Sequence, residues 1–93
     1  MRLIEFTRSP RSDKRFLARF MEPERTVYFG SPQQSTYIDH GNISIRNMHL
    51  MRYKKEWGIN EDTFTIGILW GPTPSIEGNL SRLLLMFNIQ DDR

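Results

Sequence analysis

The residue pair with the clearest chemical potential is Asp39-His40. A histidine oriented by a carboxylate is a common general base in hydrolases. Neighbouring residues on a strand point to opposite faces, so adjacency alone does not make a dyad. The chain also lacks the Gly-x-Ser-x-Gly pattern of a nucleophile elbow. We therefore expect Asp39 or His40 to fix the loop that enters the next helix.

Metal and cofactor chemistry find little support in the sequence. The second histidine, His49, has no partners at ligand spacing, and the chain contains no cysteine. No phosphate-binding loop, dinucleotide-binding glycine motif or H-E-x-x-H pattern occurs. We predict a non-enzymatic protein without cofactor or metal. A hydrolase that uses His40 or His49 is the third-ranked hypothesis.

A basic cluster at residues 52–55 gives the second-ranked hypothesis, a nucleic-acid-associated protein. Together with nearby aromatic residues it could form a basic, aromatic surface; these are Tyr28, Phe29 and Tyr37. Residues 1–58 carry 11 Lys and Arg against 6 Asp and Glu, whereas residues 59–93 carry 2 against 5. Such an asymmetry can steer a partner or a second copy of the chain. No RNP motif, zinc finger or long basic tail accompanies the cluster.

The length of 93 residues fits a single domain that spans residues 1–93. Its longest apolar runs, residues 66–70 and 83–87, are far shorter than the roughly 20 residues of a membrane span. The N-terminus has no signal-peptide pattern. We expect a protein that does not span a membrane and that is cytosolic or has access to the nucleus.

The elements that must position these groups define an α+β domain. Alternation at Phe16, Ala18 and Phe20, with turn residues on both sides, predicts a three-stranded antiparallel meander over residues 2–30. Two helices follow. The first begins at Asn42 or Ser44 and runs to about Trp57. The segment 64–70 is either a buried strand or a helical turn.

The second predicted helix begins after Thr73 or Ser75. One apolar stripe defines it, formed by Ile76, Leu80, Leu83, Leu84 and Phe87, whereas Leu85 and Met86 lie off the stripe. The first helix differs, because Ile45, Met48 and Met51 lie opposite its other apolar residues. Apolar residues on most of a helix's circumference indicate either that this chain covers both sides of the helix or that one side meets a partner. The shortness of the chain favours the partner. The predicted interface residues are Met48, Met51, Arg52, Lys55, Trp57, Trp70, Arg11 and Arg15.

Several short motifs carry a resemblance to a known family. They are Arg25-Thr26-Val27-Tyr28-Phe29-Gly30-Ser31, Thr36-Tyr37-Ile38-Asp39-His40, Arg52-Tyr53, Glu56-Trp57, Ile68-Leu69-Trp70-Gly71 and Pro74-Ser75-Ile76-Glu77. In order and spacing they resemble small uncharacterised proteins of nucleocytoplasmic large DNA viruses, with the pattern V-x-F-G … D-Y-T-x-H … E-x-W … I-L-W. The chain departs from that pattern at Thr36, Ile38 and Tyr53. The resemblance covers residues 25–88 and leaves residues 1–24 as an N-terminal extension.

The resemblance implies a viral context without implying an activity. Combined with the excess of apolar residues, it leads to the first-ranked hypothesis. This is a structural protein of a large DNA virus particle, a minor capsid or capsid-associated protein that acts by protein-protein adhesion. Its expected partners are other viral capsid proteins, with further copies of itself as the alternative and nucleic acid ranked lower. Its expected location is the virion, and the host cytoplasm during assembly.

Overall fold

The computed structural model describes residues 1–53 and 57–93. It contains a four-stranded sheet in the order β3-β2-β1-β4, whose strands are β1 (Arg2–Arg8), β2 (Phe16–Met21), β3 (Arg25–Phe29) and β4 (Gln90–Asp91). The first three strands form the predicted antiparallel meander. The prediction of a sheet with only three strands is wrong, because β4 pairs with β1 in parallel and makes the sheet mixed.

The fourth strand results from the return of the chain after the last helix. Ile89 is buried, and the backbone N–H of Asp92 donates to the carbonyl oxygen of Leu3 at 2.8 Å. A two-residue strand has no hydrophobic period of its own. Its position is set by the burial of Ile89 and by pairing with residues at the other end of the chain.

Helices occupy the rest of the described chain. They are α1 (Tyr37–His40), α2 (Ile43–Met51), α3 (Glu61–Phe64) and α4 (Ile76–Met86), with a five-residue π-helical turn, Thr65–Leu69, directly after α3. The class α+β is confirmed, but the prediction of only two helices is wrong. Among the described residues, no helix is long and apolar enough to cross a bilayer.

The two additional helices are single turns specified by their caps. The carboxylate of Asp39 accepts hydrogen bonds from the backbone N–H and hydroxyl of Thr36, which starts α1, and Gly41 ends it at φ 63°. The side chain of Asn60 accepts from the N–H of Thr63 at 2.8 Å and starts α3. One turn is too short to show a helical period, so the sequence pattern predicts neither helix.

The core lies between the sheet and the helices. Phe64 packs edge-on against Phe20 and Phe29, at ring-centre distances of 5.7 and 5.6 Å. The π-helical turn after Phe64 is buried over residues 66–69. Segment 64–70 is therefore helical, which resolves the alternative between strand and helix. The predicted apolar stripe of α4 faces this core, whereas Leu85 and Met86 are exposed.

A buried asparagine joins α4 to the π-helical turn. The Nδ2 of Asn79 donates to the carbonyl oxygens of Ile68 at 2.8 Å and Thr73 at 2.7 Å. Its Oδ1 accepts from the backbone N–H and the hydroxyl of Thr73. Asn79 is fully buried, so this amide provides polar partners for the end of the buried π-helical turn and for the exposed loop at residues 72–75.

Candidate functional site

The outward side of α2 is apolar and exposed. The helix begins at Asn42, whose side-chain oxygen accepts from the N–H groups of Ser44 and Ile45. Ile45, Met48 and Met51 then recur at three-residue spacing, which places them on one side of the helix. Their exposed fractions are 46%, 58% and 80%. We call these three residues and the neighbouring exposed Arg52 the α2 face.

Polar and aromatic contacts hold the inner side of α2. The Nε of Arg46 donates to the carbonyl oxygens of Trp70 at 3.1 Å and Gly71 at 2.7 Å, and its guanidinium lies over the ring of Tyr37. The ring of His49 stacks on Trp70 at 3.9 Å and 6°. Since no residue of α2 is buried, these contacts fix the helix while its apolar residues stay on the surface.

The predicted interface residues therefore divide into separate groups. Met48 and Met51 lie together on α2, Arg52 directly follows the helix, and Trp57 is half exposed. Lys55 lies outside the described residues. Trp70 is only 3% exposed, so its prediction as a surface anchor is wrong.

Trp70 is buried because residues distant in sequence enclose its ring. His49 stacks on one side, and the ring of His40 approaches edge-on at 5.7 Å. Trp57 lies nearby over the turn: a side-chain β-carbon at Gly67 would lie 3.5 Å from the Trp57 ring. The indole of Trp57 remains available to a partner and that of Trp70 does not.

Asp39 and His40 do not form a dyad. The carboxylate of Asp39 binds Arg15 and Thr36, and the Nδ1 of His40 accepts from the backbone N–H of Asn42 at 2.9 Å. Asp39 closes the start of α1, and His40 fixes the chain that enters α2. The predicted role of this pair in the loop is confirmed. Within residues 1–53 and 57–93, no three His, Asp or Glu side chains converge as metal ligands would.

Arg11 and Arg15 lie at the loop between β1 and β2. Arg11 forms two hydrogen bonds with Asp13, at 3.0 and 2.7 Å, and its guanidinium lies 4.9 Å from the ring centre of Tyr28. Arg15 binds Asp39. Both arginines, predicted as interface residues, already contact carboxylates of this chain. Within the described residues Arg52 forms no ion pair, so it remains available to a partner.

The predicted basic, aromatic surface does not form as expected. Phe29 and Tyr37 are buried in the core. Tyr28 is partly exposed, but it lies beside Arg11 on the loop between β1 and β2. Lys54 and Lys55, half of the predicted basic cluster, lie outside the described residues. Among the described residues, Arg11 lies over the ring of Tyr28 and Arg46 over that of Tyr37.

Comparison with known proteins gives one match. Residues 4–53 match DUF5754, a family of unknown function. The chain belongs to this family. No curated protein sequence and no solved structure matches the chain. The DUF5754 match extends from β1 to the residue after Arg52, so it contains both the loop between β1 and β2 and the α2 face. It also covers most of residues 1–24, which the viral resemblance leaves out.

The ion pair between Arg15 and Asp39 predicts a pH dependence for this DUF5754 protein. Hydrogen bonding to Arg15 holds the pKa of Asp39 well below its usual range. An Asp with a lowered pKa stabilises the fold above its unfolded value of about 3.9, and this contribution is lost as the pH falls. We expect Asp39→Asn to lower the free energy of unfolding by about 1 kcal/mol at pH 7, a figure reduced for partial exposure.

The measurement is urea denaturation of both proteins at pH 7, 4 and 2.5. The stability difference between wild type and Asp39→Asn should shrink as the pH falls below 4. Asp13→Asn is the matched control, because its pair with Arg11 is on the surface and should show a much smaller difference. If the stability difference between wild type and Asp39→Asn stayed constant down to pH 2.5, the lowered pKa of Asp39 would be contradicted.

Proposed function

We propose that this protein is a non-enzymatic structural component of a large DNA virus particle. It acts as a minor capsid or capsid-associated protein that adheres to another protein of the shell. The α2 face carries this proposal: Ile45, Met48 and Met51 are exposed side by side on a helix that is fixed from its other side. The resemblance at residues 25–88 supplies the viral context.

The charge around the α2 face favours a different protein over a second copy of this chain. Residues 40–53 contain two arginines and neither Asp nor Glu. A twofold symmetric dimer through this face would place the same residues against each other and bring Arg52 close to its counterpart. A partner with an apolar socket and acidic residues at its rim avoids that repulsion and pairs with Arg52.

The side chains of the α2 face suit adhesion. Methionine is flexible and adapts to an irregular partner surface, and its full burial is worth about 1.5–3 kcal/mol. A stable contact requires on the order of 1,000 Å² of total buried surface. One helix face does not reach that area, so Trp57 or further contacts within the shell must contribute to the same attachment.

Two charges on the α2 face should abolish adhesion without unfolding the protein. We expect the double variant Met48→Lys/Met51→Lys to lose about 3 kcal/mol of partner binding, or roughly 100-fold in affinity. Met and Lys have similar helix propensities, and exposed substitutions usually change stability by less than about 0.5 kcal/mol. The measurement is the amount of each tagged protein in purified particles, together with its melting curve.

Leu85→Lys is the matched control, because Leu85 is 84% exposed on another helix, α4. It adds a charge in place of an exposed aliphatic side chain and should leave incorporation unchanged. Equal incorporation of the double variant and wild type would refute adhesion through the α2 face.

Mass spectrometry of purified, nuclease-treated particles tests the proposed location. We expect the protein to remain with the shell after nuclease and after a wash in concentrated salt, because burial of apolar surface does not weaken with salt. Attachment through phosphates would instead weaken steeply as the salt concentration rises. Absence of the protein from such particles would remove the proposed function.

A further inference from the structure

A polar cleft of about 570 Å³ opens beside the loop between β1 and β2, on elements other than α2. Residues of the loop form one wall and residues 32–35 form the other. Four cationic side chains line it, Arg8, Arg11, Lys14 and Arg15, against the single carboxylate of Asp39. The other lining residues are serines, glutamines and Pro32. A site of this composition fits a polar anion and offers no pocket for an apolar side chain.

The cations are held in position before any ligand binds. Arg11 donates two hydrogen bonds to the carboxylate of Asp13, and Arg15 donates two to the carboxylate of Asp39. Lys14 pairs with Glu61. A guanidinium has five donors in a fixed plane, so each arginine keeps donors for a second anion. Pre-ordering lowers the entropic cost of binding.

Arg8 is the exception. It is exposed and forms no ion pair with any described residue. Its positive charge is therefore not offset within the cleft. Substitution of Arg8 removes a binding group without breaking an ion pair of the described protein.

A second groove continues from this cleft. It has a volume of about 360 Å³, shares Arg11 and Lys14 with the first, and adds Arg25, Tyr28 and the carboxylate of Glu61, which pairs with Lys14. Because the two grooves share Arg11 and Lys14, cations line both of them. A single phosphate would occupy only one of them, whereas a chain of phosphates can follow both.

From this arrangement we infer that the cleft and its neighbouring groove bind the phosphodiester backbone of single-stranded nucleic acid. Arginine donors match phosphate oxygens in geometry. The ring of Tyr28 lies beside Arg11, where a base can stack. An acidic peptide would use the same charges, but the larger cleft has only Pro32 as an apolar side chain. In the second groove Val27 and Ile59 lie beside Tyr28, whose ring favours a stacked base. This site is independent of the α2 face, so one protein can contact both shell and nucleic acid.

The test measures fluorescence anisotropy of a labelled 12-nucleotide oligothymidylate with the full chain. If four phosphates are neutralised, affinity should fall roughly 50-fold between 50 and 200 mM NaCl. Arg8→Gln should weaken binding about fivefold at low salt and reduce the salt slope by about 0.7. Arg19→Gln is the matched control, because Arg19 is an exposed arginine that pairs with Glu5 on the sheet and does not line the cleft.

Equal losses from Arg8→Gln and Arg19→Gln would overturn the site, because they would show that only diffuse charge is responsible. Labelled decaglutamate is the second probe. If it binds as tightly as the oligonucleotide and is equally sensitive to Arg8→Gln, the site takes acidic protein segments and the nucleic-acid assignment fails. Oligonucleotide binding by Met48→Lys/Met51→Lys at least as tight as that of wild type would support two independent surfaces.

Discussion

Replacement of Gly71 by alanine is expected to destabilise the fold by about 3 kcal/mol or more. A β-carbon at Gly71 would overlap the carbonyl oxygen of Gly67 and lie 2.5 and 2.6 Å from the Cγ and Nδ2 of Asn79. Neither neighbour can move freely, because one is backbone of the buried π-helical turn and the other holds four hydrogen bonds. Such overpacking costs about 1–3 kcal/mol even in cores that adjust.

For a domain of this size, that loss corresponds to a melting temperature lower by about 15 °C. Calorimetry measures it directly. Gly78→Ala is the matched control: the nearest atom to its β-carbon would lie 3.4 Å away, an ordinary contact, and alanine favours the helix at this position of α4. It should raise stability by roughly 0.5–1 kcal/mol. A Gly71→Ala protein that melts like wild type would show that the turn packs less closely than described.

The second large effect is expected at Asn79. Asn79→Ala leaves the carbonyl oxygens of Ile68 and Thr73, and the N–H of Thr73, without their partner. Buried polar groups without partners cost about 1–3 kcal/mol each. After partial access of water to Thr73, we expect a total loss of about 3 kcal/mol in the free energy of unfolding.

Comparison of Asn79→Asp with Asn79→Ala distinguishes the effect of lost hydrogen bonds on stability from the effect of lost side-chain volume. It keeps the shape of Asn79 but turns a carboxylate oxygen toward two carbonyl oxygens, so it should be at least as destabilising as alanine at pH 7. Asn47→Ala, on the exposed side of α2, is the control and should change stability by less than about 0.5 kcal/mol. The measurement is urea denaturation. If Asn79→Asp proves as stable as wild type, the described amide network is wrong.

The sequence predicts the elements that have their own hydrophobic period. Alternation at Phe16, Ala18 and Phe20 predicts the meander, and the stripe through Leu80 and Leu83 predicts α4. The other elements depend on strand pairing and helix caps, which the hydrophobic pattern of the sequence does not reveal. Strand β4 is two residues long and pairs with the other end of the chain, and α1 and α3 are single turns that depend on caps.

The candidate site also has parts that the hydrophobic pattern predicts and parts that depend on contacts between distant residues. Exposure of Met48 and Met51 is predictable because they lie opposite the apolar stripe of their helix. Burial of Trp70 is not, because it depends on the histidines that enclose its ring. The signal for the cleft in the sequence is the group of four basic residues between positions 8 and 15, of which only Arg11 and Arg15 are predicted as interface residues. Their convergence on residues 32–35 appears only in the folded chain.

The most direct test of the account is photo-cross-linking from the α2 face inside assembled particles. A photoreactive amino acid replaces Met51, and the control protein carries it at Thr26, an exposed position on β3. Attachment through the α2 face predicts one dominant product between position 51 and a shell protein, with little or none from position 26. Abundant cross-links from position 26 to shell protein and none from position 51 would contradict attachment through the α2 face.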